Sequence, residues 1–382
     1  MPRHGLTPSA WIRRSLARAV APRTPWVLAA GIITLAGCGV GPVMATAPQD
    51  PGDFDLEEVA PGVYAVSPRP GVPAGANAAV IVNADEVIVV DTHMRPSFAR
   101  ALRDQIRTLT ALPIRYVINT HWHPDHTQGN QAYVGAFPKG VTLLSHAIAR
   151  QEIATLGVRR LAQDRERLPR EIAAWRSQLD RLEAEAATDA GTRQEAARLQ
   201  RRIAEAAAFL RELELVELVL PNLTFERSLT LHTSSRRIQL LYFGRGHTRG
   251  DAVVYLPTDK VLMIGDLVTG GPPFARDGYP GEWVRTLSRI QRLDVEVIVS
   301  GHGRVMRGKQ VLADRIRFLE DALQVIRAGL DRGHGVDQIA AAIDLDSYRG
   351  TFDPEPPEQP WRGWMRMLVE RAIAEREDQA AR

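Results

Sequence analysis

His121, His123, Asp125 and His126 lie within the run His121-Trp122-His123-Pro124-Asp125-His126, directly after the segment Tyr116-Val117-Ile118-Asn119-Thr120. Imidazole nitrogens and a carboxylate at this density suit a borderline cation such as zinc. Three later segments repeat the pattern of an apolar strand followed by a ligand-type residue. Leu240-Leu241-Tyr242-Phe243 leads to His247, Val261-Leu262-Met263-Ile264 to Asp266, and Val295-Glu296-Val297-Ile298-Val299 to His302. A single histidine at a strand end is commonly a surface or satisfied core residue, so each later site alone reads equally well as structural. The balance tips because each follows a glycine, in Gly246-His247, Gly265-Asp266 and Gly301-His302-Gly303. Glycine allows the tight turns and close backbone approach that a crowded ligand needs.

These residues need elements to hold them. Val63-Tyr64-Ala65-Val66, Ala78 to Val82, Val87 to Val90, Tyr116 to Ile118 and Val141 to Leu144 suit buried or half-buried strands. Ser97 to Leu109 carries Phe98, Leu102, Ile106 and Leu109 at helical spacing, so one face packs on a sheet. Strands mixed with helices imply a layered α/β architecture. If the strand after Tyr116 continued, His121, His123 and Asp125 would share one face by period-two alternation. His126 would then reach in from a turn favoured by Pro124. Residues 150–215 differ in kind, with no strand signature. Leu168, Ile172, Trp175, Leu179 and Leu182, then Leu199, Ile203, Ala206, Leu210 and Leu213, form two helical seams. Thr188-Asp189-Ala190-Gly191-Thr192 supplies the turn of a hairpin. That hairpin is a self-packed structural unit, a lid over the site, or a homodimer contact. After Arg304 the chain is mostly helical, with Val311, Ile316, Leu319, Leu323 and Ile326 on one face and a last amphipathic stretch from Trp361 to Glu375.

In order, these motifs resemble the metallo-β-lactamase-fold hydrolases: the His121-x-His123-x-Asp125-His126 run, Gly244-Arg245-Gly246-His247-Thr248-Arg249-Gly250-Asp251, Gly265-Asp266, and Ser300-Gly301-His302-Gly303. Asn77 to Val82 and Val87 to Asp91 look like that fold's opening strand pair and structural aspartate. The resemblance implies a four-layer αββα sandwich over residues 53–149 and 216–308, interrupted by the hairpin at 150–215 and followed by C-terminal helices at 309–382 packed on the domain. It also implies a dinuclear site. His121, His123 and His247 would form one half; Asp125, His126 and His302 the other; Asp266 would bridge them. Two cations sharing a hydroxide make a nucleophile near neutral pH, which Asp125 would also orient. Two zinc ions are the expected cofactor, with iron or manganese as alternatives. Asp91 is expected to hold strand-end backbone or a ligand histidine rather than a metal. His93 and His146 read as supporting or surface residues, and Arg276 and Tyr279, in the Gly-Pro-rich loop 270–281, as candidates to touch substrate.

Composition bounds the rest. Hydrophobic residues make up 45% and charged residues 24%, ordinary for a globular protein. Five of the 48 basic residues, Arg3, Arg13, Arg14, Arg18 and Arg23, and none of the 45 acidic ones lie in residues 1–37. Without them the formal charge of +3 turns negative, so the basicity belongs to the leader and argues against a nucleic-acid partner. A basic start, then the apolar run Trp26 to Ala36, reads as an export signal over residues 1–37. Leu35-Ala36-Gly37-Cys38 resembles a bacterial lipobox, with Cys38, the only cysteine, as the lipidated residue. Arg13-Arg14-Ser15-Leu16 faintly resembles a twin-arginine signal. Residues 38–52 read as a tether rich in Gly and Pro. The expected location is the cell envelope, lipid-anchored, in the outer membrane facing the periplasm.

Asp266 bears on the reaction. The best-known zinc β-lactamases have cysteine at the position it matches. A complete bridging carboxylate is more similar to glyoxalase-II-type thioesterases, lactonases and general dinuclear hydrolases. Hydrolysis of a small acyl-type substrate, a thioester, lactone or β-lactam, is therefore the expectation. A phosphodiesterase or nuclease on the same fold is one alternative, and a non-catalytic zinc-binding surface lipoprotein another. Seven candidate ligands exceed what a closed four-ligand structural site needs. They also argue against a mononuclear iron oxygenase.

Overall fold

The computed structural model describes residues 52–135, 140–185, 189–352 and 361–380. The export signal, Cys38 and Thr188 of the hairpin turn lie outside the described residues. Among those residues, strands Phe54–Ala60 (β1), Val63–Pro68 (β2), Ala78–Val82 (β3), Val87–Val90 (β4), Ile114–Asn119 (β5), Thr142–His146 (β6) and Leu223–Phe225 (β7) form one sheet in chain order. The first four pair antiparallel, and β4 to β7 run parallel. Ser228–His232 (β8), Arg237–Tyr242 (β9), Ala252–Leu256 (β10), Val261–Gly265 (β11), Val297–Ser300 (β12) and Met306–Arg307 (β13) form the second, in the order β13-β12-β11-β10-β9-β8.

The strand sequences explain the layers. Val87-Ile88-Val89-Val90 and Val261 to Ile264 are apolar on both faces, and both are buried on both. Alternate residues such as Ala79, Ile81, Ile88, Val90 and Ile118 meet Leu240, Val254, Met263 and Val299 in a core between the sheets. Each Val or Ile fully buried there contributes roughly 1.5–3 kcal/mol. The opposite face of the first sheet is covered by Pro96–Leu109 (α1), through Ala99, Leu102 and Ile106.

Eight more α-helices follow among the described residues. Pro124–Thr127 (α2) is a single turn after β5, and Ala147–Glu152 (α3) follows β6. Val158–Glu185 (α4) and Ala190–Glu214 (α5) are the hairpin, and their seams pack on each other through Leu168, Ile172, Leu199 and Ile203. Its base is tied down: Glu212 accepts from the backbone N–H and hydroxyl of Ser97, and Gln131 donates to the Leu215 carbonyl. Arg95 stacks between Phe98 and Phe209 at 5.5 and 5.0 Å. Residues 150–157 belong to α3 and a π-turn rather than to the hairpin, and bury Glu152 and Ile153.

Pro280–Ile290 (α6), Gln310–Asp331 (α7), Val336–Ala342 (α8) and Trp361–Ala380 (α9) cover the second sheet, sharing one apolar core with Leu262, Ile264 and Ile298. The buried stripe of α7 is turned from the one expected. Leu312, Phe318, Leu319, Ala322 and Ile326 are buried, whereas Val311, Ile316 and Leu323 are only half-buried. The rotation brings Arg315 inside, where it donates to the Thr269 carbonyl. Glu375 of α9 accepts from the N–H groups of Gly281 and Glu282 and so caps α6 from another helix.

Candidate metal centre

All seven ligand-type residues gather at one end of the sandwich, beyond the C-terminal ends of β5, β9, β11 and β12. Two sets form: His121, His123, His247 and Asp266, and beside them Asp125, His126 and His302. The expected shared strand face does not deliver the first three. β5 stops at Asn119, His121 and His123 stand in the turn that follows, and Asp125 and His126 sit in α2 with Pro124 at its first position. A one-turn helix brings neighbouring side chains round to one site, which a strand cannot do for Asp125 and His126 together. The turn is held from behind: Asn119 Nδ2 and Thr92 Oγ1 both donate to the His126 carbonyl. Gly265, at φ +57°, ends β11 in a conformation that costs other residues, and a Cβ there would fall 2.8 Å from Thr120 Oγ1.

The ring orientations follow from what each histidine touches on its outer side. His126 Nδ1 lies 2.7 Å from Asp91 Oδ2, His247 Nδ1 3.0 Å from the Phe274 carbonyl, and His123 Nε2 2.9 Å from Asp277 Oδ2. His121 Nδ1 is 3.1 Å from Thr120 Oγ1, which itself donates to Asp91. Each outer acceptor takes the ring proton and leaves the other nitrogen's lone pair pointing inward. As a result His121 Nε2 and His247 Nε2 lie 3.1 and 2.8 Å from His123 Nδ1. Three lone pairs facing one another repel unless a cation lies among them. His126 Nε2 and Asp266 Oδ1, both buried, lie 3.3 Å apart without hydrogen-bonding geometry, and neither has another hydrogen-bond partner among the described residues. The donor set thus fits metal ions on its own chemistry.

Asp266 reaches both sets. Its Oδ2 is 3.5 Å from His247 Nε2 and 3.4 Å from His302 Nε2, and its Oδ1 is 3.3 Å from His126 Nε2. Asp125 Oδ2 is 3.2 Å from His302 Nε2. Burial favours neutral groups, and the histidines divide on whether a carboxylate opposes it. Burial, with His126 beside it, holds His121 well below its ordinary range, and burial with His123 lowers His247 to about 3. For His126, burial is outweighed by Asp91, Asp266 and Asp125, and the ring is raised well above the usual value. His302 is raised against burial to about 10 by Asp266 and Asp125. Burial would raise Asp266, but His302 and His126 hold it well below the carboxylate range.

The structure also sorts the remaining sequence candidates. Asp91 lies behind the centre, accepting from the Thr120 backbone N–H and hydroxyl and meeting His126. His146 is apart: it bonds the Glu226 carbonyl, accepts from Ile148 and stacks on Tyr242. His93 is buried against Phe54, its Nδ1 on the Ala76 carbonyl. Tyr279 lies between Arg245 and Arg371, while Arg276 lines the cleft. That cleft, about 520 Å³, has His123, Asp125, Asp266 and His302 at its floor. Its walls include Arg160, Asp164 and Arg167 of α4 and Phe209 of α5. Sequence reasoning missed these four and Asp277. None belongs to a motif, and only the charged neighbour Arg276 hinted at Asp277.

The model of the family described as the metallo-beta-lactamase superfamily matches residues 71–302. A linear primary-alkylsulfatase of Pseudomonas sp. (strain ATCC 19151) is 24% identical over 285 residues, 70% of this chain and 50% of that protein. A metallo-beta-lactamase type 2 of Elizabethkingia meningoseptica is 31% identical over 85 residues, 21% of this chain and 34% of that protein. The chain therefore spans half or less of the length of these curated relatives. The solved structure of a metallo-beta-lactamase from Pontibacter korlensis aligns at TM-score 0.47 and 18% identity, over 70% of this chain and 99% of that one.

Proposed function

The chain belongs to the metallo-beta-lactamase superfamily, and from that membership we propose that it is a dinuclear metal-dependent hydrolase of a small acyl-type substrate: a thioester, lactone or β-lactam. The observation that carries the reading is the pair of adjoining ligand sets with Asp266 reaching into both. Two divalent ions, zinc before iron or manganese, would supply Lewis acidity toward the bond under attack and an acidified water near neutral pH. His121, His123 and His247 are assigned to one ion, Asp125, His126 and His302 to the other, and Asp266 to both. Asp125 also orients the attacking water, since its side chain lines the cleft. Asp91, Thr120 and Asp277 fix the rings from behind.

Metal quantitation tests this directly: about two ions per chain are expected, and a stoichiometry that stays at one under excess zinc sinks the dinuclear mechanism. The two halves should differ in proton linkage. His126 and His302 have raised pKa values in the metal-free protein and hold protons at neutral pH, whereas His121 and His247 do not. Filling the second set must displace those protons, so its affinity should rise with pH. Calorimetric titration in buffers of different ionisation enthalpy should show more protons released in the second binding step than in the first. Equal release in both steps would contradict the assignment.

A second reading, cleavage of a sulfate or phosphate ester, draws on the three arginines of the cleft and on the likeness to an alkylsulfatase. A panel of thioester, lactone, β-lactam, phosphodiester and alkyl sulfate separates the two, and a turnover confined to the last two would replace the acyl reading.

We place the protein in the cell envelope, anchored through Cys38, and Cys38→Ser should move it from the membrane fraction to the soluble one. Stable anchoring takes more than one acyl chain, as bacterial lipoproteins have. Among the described residues no helix is long and apolar enough to cross a membrane. Unchanged fractionation of the variant would rule the lipobox out.

A further inference from the structure

The segment that follows Asp266 meets the backbone of His302, and helices α6 and α7 hold it. Trp283 Nε1 of α6 donates to the Leu267 carbonyl at 3.0 Å. Arg315 Nη2 of α7 donates to the Thr269 carbonyl at 2.8 Å. The same peptide group then acts in the other direction, for the Gly270 N–H donates to the His302 carbonyl at 2.8 Å. In a trans peptide the C=O and N–H point to opposite sides of one rigid plane. A single plane thus links the guanidinium to a ligand-type residue, and any rotation of it breaks both bonds at once.

Arg315 is costly in this place. It is 3% exposed and stands in the buried stripe of α7, between Leu312 and Phe318. Its Nε and Nη1 have no hydrogen-bond partner among the described residues, and the guanidinium lies 4.8 Å from the Phe352 ring. Burial lowers its pKa to about 10, opposed by Asp314, whose carboxylate already meets Arg317 and Gln310. The side chain therefore keeps its charge at neutral pH, with a desolvation cost that leucine or methionine would not carry. Docking of α7 does not call for it, because Leu312, Phe318 and Leu319 already share a core with Leu262, Ile264 and Ile298. A buried charge can do what an apolar residue cannot: it polarises the 269–270 peptide, and hydrogen bonds in series strengthen one another.

We propose that Arg315 is a positioning residue that fixes the backbone of His302 through the 269–270 peptide. Its consequence for the second ion rests on the dinuclear reading above. The first ligand set has supports of its own in Thr120, Asp277 and the Phe274 carbonyl, so the effect falls on one ion rather than both. Arg315 also lies beyond residues 71–302, the part that the family model matches. The C-terminal helices on this account do more than cover the second sheet, since α7 reaches the metal centre from outside the shared domain.

Two measurements on the full chain test this. Hydrogen exchange of the metal-free protein reads the peptide itself. In Arg315→Met the Gly270 amide should exchange at least about tenfold faster, whereas the Gly301 amide, bonded to the Gly265 carbonyl, should keep the parent rate. Arg315→Lys, which retains a charged donor, should recover part of the protection. Zinc titration against a competing chelator reads the ligand set. Arg315→Met should weaken the second ion by about 10–100-fold, the usual loss on removing an outer support of a ligand, and leave the first unchanged. Parent-like protection of Gly270 in Arg315→Met overturns the proposal, as does an equal weakening of both ions. Should that variant fail to fold, Arg315→Gln, neutral and shorter, takes its place with the same expected directions and the same overturning results. If the parent itself takes up a single zinc ion, the dinuclear reading fails, and the exchange rates still decide whether Arg315 holds the peptide that grips His302.

Discussion

Asp266→Ala should lower hydrolysis by two to three orders of magnitude while leaving the sandwich folded. The carboxylate is 8% exposed and is the one group within 4.0 Å of four of the five clustered histidines, His121, His126, His247 and His302. Removing a buried partner leaves the opposing charge uncompensated, at a cost of about 3–5 kcal/mol, and each 1.36 kcal/mol is about tenfold in rate. On the dinuclear assignment proposed above, the uncompensated charge would be that of the two ions, which would repel each other without a shared ligand. The apolar strands on either side do not depend on Asp266, so circular dichroism should match the parent. Metal content should fall below two per chain. Full activity with both ions still bound would show that Asp266 bridges nothing.

Much of this centre was legible before any fold was known, and the reason is local. Each ligand lies within a few residues of a strand end, so an apolar run, a glycine and a ligand-type residue stand together in sequence, as in Val261 to Asp266 and Val297 to His302. The strands themselves were legible because those buried on both faces are unbroken runs of Val and Ile. What escaped is non-local. His123 and Asp277 are 154 residues apart, and no periodicity links them. Arg160 and Phe209 read as ordinary positions of a solvated helical pair, because the seams of α4 and α5 are satisfied within the pair. Docking of the hairpin base, with Glu212 on Ser97 and Arg95 over Phe209, sets those two side chains in the wall of the cleft. The period-two rule misled for His121 to Asp125 for a related reason. It assumes that the strand goes on, whereas Pro124 starts a helix one residue after His123.

The glycines beside the ligands carry the second large expectation. Gly301 lies between β12 and His302, and its N–H donates to the Gly265 carbonyl, bringing the ends of β11 and β12 together. A Cβ on residue 301 would fall 1.9 Å from Asp266 Oδ1 and 3.0 Å from the Gly265 carbonyl carbon. The first cannot be absorbed without moving the carboxylate that reaches both ligand sets, whereas the second asks the backbone to give by only a few tenths of an ångström. Gly301→Ala should therefore displace the Asp266 carboxylate, with a stability cost of about 1–3 kcal/mol from overpacking and a loss of activity approaching that of Asp266→Ala. The double variant separates this mechanism from general damage. Once Asp266 is alanine, the oxygen that the new methyl group would strike is gone, so Asp266→Ala/Gly301→Ala should be little worse than Asp266→Ala alone. Residues in contact depart from additivity by about 0.5–3 kcal/mol, and the departure here should lie at the upper end and in the compensating direction. Activity and metal content of the four proteins in the cycle measure it. Additive losses would mean that Gly301 acts on the site by some route other than the carboxylate it touches.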